Sequence, residues 1–136
     1  MKVGRWLIDT NHAGEAVRPV SRLRDRILQA HRQGVIFGLC LPVLCELEIG
    51  IRQLKEQNPT RRELRELLKR VRVWPIEGDF PSYYAGVYQQ LKAAGRSLSQ
   101  IDIMLAALCR QKDLCLLTTD RDFEALPDLR VENWSI

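Results

Sequence analysis

Short apolar runs alternate with longer segments of helical periodicity along the whole of this chain. The apolar runs lie at residues 3–8, 35–39, 71–76, 114–117 and 131–134. Strands that alternate with helices in this way are typical of a parallel sheet joined by right-handed crossovers. We therefore predict an α/β fold with a central parallel sheet of about five short strands, covered by helices on both faces. A chain of 136 residues without a linker should form one domain over residues 1–136.

The predicted helices are bounded by capping and breaking residues. Four of them are expected at residues 22–33 after Ser21, from Pro42 to the break at Asn58, from a capping box of Thr60 and Glu63, and at residues 82–94 before Gly95. A fifth helix, capped by Ser99, is apolar on every side from Ile101 to Cys109 except at Asp102. Such a helix is expected to be buried in the middle of the fold.

Two aspartates follow predicted strands. Asp9 ends the first apolar run, and Asp120 comes shortly after the run at 114–117. In open parallel sheets, ligands bind beyond the carboxyl ends of the strands, at the point where the strand order reverses. We therefore expect the carboxylates of Asp9 and Asp120 to lie close together at this edge.

Two further acids are candidates on predicted helices. Asp102 opens the apolar helix three residues after Ser99, a position that reciprocal capping alone can explain. A partly desolvated carboxylate at this place is also costly unless a cation or several donors compensate, which favours a binding role. On an earlier helix, periodicity leaves Glu46 and Glu48 equivalent, because each lies about 100 degrees from the inward-facing Leu47.

Charge and cysteine usage restrict the class of protein. The net charge of +4 and the pI near 9.1 modestly favour an anionic partner. Residues 61–72 carry six basic and two acidic side chains, and so form either a phosphate-binding surface or a solvated helix face. We expect reduced, buried thiols and a cytoplasmic protein without a membrane segment. The cysteines are Cys40, Cys45, Cys109 and Cys115.

Four short motifs occur in a recognisable order. They are residues 7–11 (LIDTN), Glu46 with Leu47 and Gly50, Asp102 with Ala106 and Ala107, and residues 119–123 (TDRDF). In these motifs and over nearly its whole length, the chain resembles the PIN domain family, in particular the VapC-like toxins of bacterial toxin–antitoxin pairs. The resemblance implies a single PIN-like nuclease domain that is an Mg²⁺- or Mn²⁺-dependent endoribonuclease. It also implies an RNA substrate, a small cognate antitoxin and a homodimer.

The resemblance assigns roles to the polar residues of the motifs. It selects Glu46 over Glu48 and implies that the acids Asp9, Glu46, Asp102 and Asp120 are catalytic and bind the metal, directly or through water. Supporting roles beside these acids are expected for Asn11, Thr119 and Asp122. Arg121, inside the acidic turn, is a candidate for direct contact with a phosphate.

Two other readings of the same residues remain open. A histidine-dependent ribonuclease would have only His12 and His31 available and would leave a cyclic phosphate, whereas metal-activated water should leave 5′-phosphate ends. A non-catalytic RNA- or protein-binding module of the same fold would use the acids only as caps and turn residues.

Overall fold

The computed structural model describes residues 4–135, and five strands alternate with six α-helices along them. The strands are β1 (Arg5–Ile8), β2 (Ile36–Cys40), β3 (Arg72–Trp74), β4 (Cys115–Leu117) and β5 (Val131–Glu132). The helices are α1 (Thr10–Ala16), α2 (Arg22–Arg32), α3 (Leu41–Arg52), α4 (Pro59–Leu68), α5 (Phe80–Ala93) and α6 (Gln100–Lys112). A 3₁₀ helix at Arg121–Ala125 follows β4. The predicted α/β class is confirmed.

All neighbouring strands of the sheet are parallel, in the order β3-β2-β1-β4-β5. The chain first builds outward from β1 through β2 to β3, and later places β4 on the other side of β1. The strand order therefore reverses between β1 and β4. Ile8 is paired with Leu117 at the carboxyl end of this central pair, so the residues that follow both strands leave the sheet at the same place.

The core is apolar and holds the central strands and α6. Leu7, Ile8 and Leu116 are fully buried, as expected for strands covered on both faces. Helix α6 buries six of its side chains between Ile103 and Cys109 and packs on α5. The prediction of a buried, nearly all-apolar helix at this place is confirmed. Only the first turn of α6 reaches the edge of the sheet, which is where Asp102 lies.

One helix was not predicted, and several predicted boundaries were wrong. The missed helix is α1, whose seven residues have no apolar stripe of helical period. The cap of α4 is Asn58, whose side chain accepts from the Thr60 N–H at 2.9 Å, so Thr60 lies inside the helix rather than capping it. Helix α3 ends at Arg52, and β5 covers only Val131–Glu132. Residue 3 of the first predicted strand lies outside the described residues.

The prediction of buried cysteines holds for only part of the set. Cys40 and Cys109 are buried, Cys115 is partly buried and Cys45 is exposed. Cys45 is exposed because it lies on the outer side of α3, whose inward residues are Val43, Leu47 and Ile51. Burial raises the pKa of the Cys40 thiol to about 12. None of the helices within residues 4–135 is long and apolar enough to cross a bilayer.

Candidate active site

An open cleft of about 500 Å³ lies at the carboxyl ends of β1 and β4. All four acids singled out in the sequence line it, although they come from four separate parts of the chain. Among residues 4–135, no basic side chain lines this cleft. The full lining is Asp9, Thr10, Asn11, Glu46, Ser99, Gln100, Ile101, Asp102 and Asp120. The cleft is therefore strongly acidic.

Asp9 is the most tightly held of the acids. It caps α1, and its Oδ1 accepts a hydrogen bond from the His12 N–H at 3.0 Å. Its other carboxylate oxygen accepts from the Thr118 hydroxyl, and its own N–H donates to the Leu117 carbonyl at 3.0 Å. With only 5% of the residue exposed, Asp9 is fixed in position by the sheet and by α1 together.

Asp120 occupies the corresponding place after β4. It caps the 3₁₀ helix, because its Oδ1 accepts from the Asp122 N–H at 2.8 Å. The Asp120 N–H donates to Thr118 Oγ1 at 3.0 Å. The hydroxyl of Thr118 thus accepts from Asp120 and donates to Asp9, so that one buried side chain joins the two aspartates.

Asp102 lies in the first turn of α6, and its N–H donates to the Ser99 hydroxyl at 3.1 Å. Its pKa is raised, mainly by burial, partly offset by a hydrogen bond with Ser99, and raised further by the charges of Asp120, Asp9 and Asp122. Capping and a place in the cleft therefore coexist here. Repulsion by the neighbouring carboxylates therefore adds to the cost of burying the ionised form of Asp102.

Glu46 and Glu48 are separated by their placement on α3. Glu46 lines the cleft, and its Oε1 accepts a hydrogen bond from the Thr10 hydroxyl at 2.7 Å. Glu48 is exposed and is not part of the lining. The structure therefore brings Glu46, and not Glu48, to the other three acids.

Of the residues predicted to support the acids or to contact a phosphate, only Asn11 lies in the described lining of the cleft. Asn11 lines the cleft, and its Nδ2 donates to Thr119 Oγ1 at 3.3 Å across the reversal point of the sheet. Asp122 supplies its N–H to Asp120 but keeps its own carboxylate exposed. Arg121 points away: its side chain is 87% exposed and pairs with Glu124 at 3.3 Å. The structure does not bring Arg121 into the cleft.

The basic segment 61–72 also lies away from the cleft lining. Lys69 and Arg70 follow the end of α4 and pair with Glu66 of that helix at 3.0 and 3.4 Å. These are the i,i+3 and i,i+4 spacings that support a solvated helix. The segment is placed as a helix surface rather than as a wall of the cleft.

His12 is completely buried, which the sequence analysis did not predict. Its Nε2 accepts from the Trp134 N–H at 3.0 Å, and its Nδ1 lies 3.8 Å from Asp9 Oδ1. Burial lowers the pKa of the imidazole, against the opposing charges of Asp9 and Glu15. The His12 ring therefore makes no hydrogen bond with Asp9, and with His31 exposed on α2 the two histidines do not form an acid–base pair in the cleft.

The acids fit a hard divalent cation by the chemistry of their donor atoms, since all four offer carboxylate oxygens. In the part of the chain that the structure describes, however, no three His, Cys, Asp or Glu side chains are gathered closely enough to enclose a metal ion. These two facts are compatible, because Mg²⁺ keeps several waters and commonly uses only one or two carboxylates directly. The arrangement suits a cation held partly through water.

Three comparisons with known proteins found a matching family model, similar sequences and similar folds. The model of the PIN domain family matches residues 7–129. A protein named Ribonuclease VapC2 from Haemophilus influenzae is 23% identical over 133 residues, covering 96% of this chain and 98% of the relative. The crystal structure of VapBC2 from Rickettsia felis, bound to a promoter DNA fragment, matches with a TM-score of 0.84 at 20% identity, covering 96% of this chain and 98% of the other. FitAcB from Neisseria gonorrhoeae matches with a TM-score of 0.71 at 26% identity, covering 96% and 99%.

Proposed function

The chain belongs to the PIN domain family, and on this basis we propose that it is an Mg²⁺- or Mn²⁺-dependent endoribonuclease that acts as the toxin of a toxin–antitoxin pair. The observation that carries the proposal is the gathering of four carboxylates, from four separate parts of the chain, around one cleft at the reversal point of the sheet. The similarity to a protein named as a ribonuclease supports the choice of RNA as substrate.

The residues of the cleft have distinct tasks under this proposal. The carboxylates of Asp9, Glu46, Asp102 and Asp120 hold the metal, directly or through water. A bound divalent cation would polarise the scissile phosphate and lower the pKa of a water molecule. Thr118 keeps Asp9 and Asp120 at a fixed separation, since its hydroxyl is bonded to both residues.

The side chains at the mouth of the cleft orient the reacting groups. The amide of Asn11 is held by Thr119 and can donate its remaining N–H to a phosphate oxygen. Thr10 holds Glu46 through its hydroxyl, so that this carboxylate faces the cleft before any substrate arrives. Attack by water, and not by the ribose 2′-hydroxyl, should leave 5′-phosphate and 3′-hydroxyl ends.

Cleavage of mixed cellular RNA tests the proposal. The wild-type protein should cut RNA with Mg²⁺ and stop in EDTA, and Asp9→Asn and Asp102→Asn should each lower the initial rate by at least about 100-fold, because each removes a charge from the proposed metal site. Glu48→Gln is the matched control, since Glu48 lies outside the cleft. Cleavage by the wild type that persists in EDTA, or Asn variants as active as Glu48→Gln, would contradict it.

The proposed partners follow from the same relatives. Complexes of the VapBC type and of FitAcB have this fold, which supports a small antitoxin as the regulator of this chain. The family resemblance of the sequence also implies a homodimer as its working form. A short gene for a DNA-binding protein next to the gene for this chain, and co-purification of the two products, would support the first. Sedimentation of the isolated chain measures the second.

A further inference from the structure

The acidic cleft cannot by itself attract an RNA backbone. Its lining contains four carboxylates and, within residues 4–135, no lysine or arginine. Phosphodiester binding depends largely on Lys and Arg contacts with phosphates. The two sources of positive charge suggested by the sequence, Arg121 and the segment 61–72, both lie outside the lining. Apart from the proposed metal ion, the positive charge that positions RNA beside the acids must therefore come from side chains outside the cleft.

Arg96 is the cation connected by contacts to the acids of the cleft. Its Nη2 lies 4.0 Å from Asp122 Oδ1, and the N–H of Asp122 is bonded to the carboxylate of Asp120. Both members of this ion pair are at least half exposed, with side chains 50% and 65% accessible. Such an exposed pair is weak, so Arg96 can exchange Asp122 for a phosphate at little cost.

The main chain at Arg96 is held by hydrogen bonds at the end of a helix, whereas its side chain is half exposed. Helix α5 ends in a Schellman motif, in which the Arg96 N–H donates to the Leu91 carbonyl at 2.9 Å and the Gly95 N–H donates to the Lys92 carbonyl at 3.1 Å. Gly95 adopts φ +67°, a left-handed conformation that glycine tolerates best. These hydrogen bonds hold the base of the Arg96 side chain three residues before Ser99, the first cleft residue of this segment.

Arg96 lines a second pocket, which is largely apolar and has a volume of about 240 Å³. The two depressions are lined by one continuous stretch of chain, because Leu98 of the pocket directly precedes Ser99 of the cleft, and Ile103 of the pocket directly follows Asp102 of the cleft. Tyr88, on the rim, is 53% exposed, and Lys92 lies one turn further along α5. The lining of the pocket includes Tyr88, Leu91, Lys92, Arg96, Leu98 and Ile103.

We propose that this pocket is a nucleotide subsite that holds single-stranded RNA beside the acid cleft. Arg96 binds a phosphate next to the scissile bond, Lys92 binds a neighbouring phosphate, and a base stacks on Tyr88 over the apolar floor. The subsite rests on the proposed ribonuclease function and names where its substrate is bound.

The charge of the surface favours RNA over another protein as the occupant. Two basic side chains stand on the rim of an aromatic pocket, which is the combination found where proteins bind single strands without reading their sequence. The proposed homodimer makes a second copy of this chain the rival occupant of this surface. Binding of a second copy is therefore a competing outcome that the experiment must detect.

Binding of a fluorescein-labelled, mixed-sequence single-stranded RNA of twelve nucleotides, followed by anisotropy in EDTA at several salt concentrations, tests the subsite without cleavage. Arg96→Gln should weaken binding about tenfold and lower the slope of log affinity against log salt by about 0.7, the contribution of one phosphate contact on a single strand. Tyr88→Leu should also weaken binding about tenfold, with the slope unchanged. Arg96→Lys should keep the slope, and Arg121→Gln should bind like the wild type.

The outcomes separate the subsite from the enzyme. Wild-type affinity and slope in both Arg96→Gln and Tyr88→Leu, with thermal unfolding confirming folded variants, would overturn the subsite, and so would a wild type that does not bind the RNA. A dimer that Tyr88→Leu converts to a monomer in sedimentation would show that a second copy covers the pocket instead. Loss of binding as expected, but no cleavage by the wild type with Mg²⁺, would support the subsite and contradict the ribonuclease.

Discussion

The two sides of the acid cleft are built differently. Asp9 and Asp120 follow neighbouring strands and form what we call the strand wall, whereas Glu46 and Asp102 lie on α3 and α6 and form the helix wall. On the strand wall, both carboxylates accept a main-chain N–H, and Thr118 joins them. On the helix wall, Glu46 is exposed and is held by one hydroxyl, and Asp102 has a raised pKa that burial mainly causes.

This difference shows how the fold divides the cost of gathering negative charge. The strand wall is preorganised, because its carboxylates are satisfied by donors that belong to the local structure. On the helix wall, burial and neighbouring charge disfavour the ionised form of Asp102, and a bound cation would stabilise that form. We therefore expect changes on the strand wall to alter the shape of the site, and changes on the helix wall to alter mainly its charge.

Removal of the hydroxyl of Thr118 should break the strand wall. Thr118→Val keeps the shape but leaves Asp9 Oδ2 and the Asp120 N–H each without a partner, so we expect Mn²⁺ affinity to fall roughly 10- to 100-fold. Stability should fall by about 1–3 kcal/mol. Isothermal titration calorimetry and urea unfolding measure the two effects. The matched control is Thr119→Val, which is exposed and should change both far less; equal effects in the two variants would contradict the role of Thr118.

The two glutamates of α3 sharpen the comparison on the helix wall. Glu46→Gln should lower kcat/KM about tenfold in Mg²⁺, because a neutral amide binds a hard cation more weakly than a carboxylate does. Glu48→Gln, on the same helix but outside the cleft, should stay within about twofold of the wild type, as surface substitutions usually do. Cleavage of a labelled RNA under initial-rate conditions compares them. If Glu48→Gln had the larger defect, the placement of α3 in the site would be wrong.

Sequence alone predicted the parts of the molecule that depend on local patterns. The parallel sheet, the buried helix α6 and the strand-end positions of Asp9 and Asp120 all follow from apolar periodicity. Helix α1 was missed because its buried residues are His12, Ala13 and Ala16, which give no apolar stripe. Its start depends on Asp9, the same residue that lines the cleft.

The supporting contacts of the site could not be predicted, because they join residues that are distant in sequence. Thr118 reaches Asp9 across 109 residues, and the partner of the buried His12 ring is the main chain of Trp134, 122 residues away. The direction of Arg121 depended on a 3₁₀ turn that reverses the chain directly after Asp120. Glu46 was separated from Glu48 only by family resemblance, and in placement the structure agrees with that choice.

The stability of the metal-free protein offers the finest test of the two walls, because the sign of the effect should differ between them. The raised pKa of Asp102 means that its ionised form is disfavoured in the folded state, so Asp102→Asn should raise the melting temperature in EDTA at pH 7. That gain should shrink as the pH falls through the raised pKa of Asp102 and vanish near the ordinary aspartate value of about 3.9, where the wild-type carboxyl is protonated in both states. Asp9→Asn, which disturbs a buried acceptor of two hydrogen bonds, should instead lower the melting temperature at pH 7. Differential scanning fluorimetry of both variants between pH 4 and 8 measures these shifts. Shifts of the melting temperature with the same sign at pH 7 would contradict the proposed difference between the two walls.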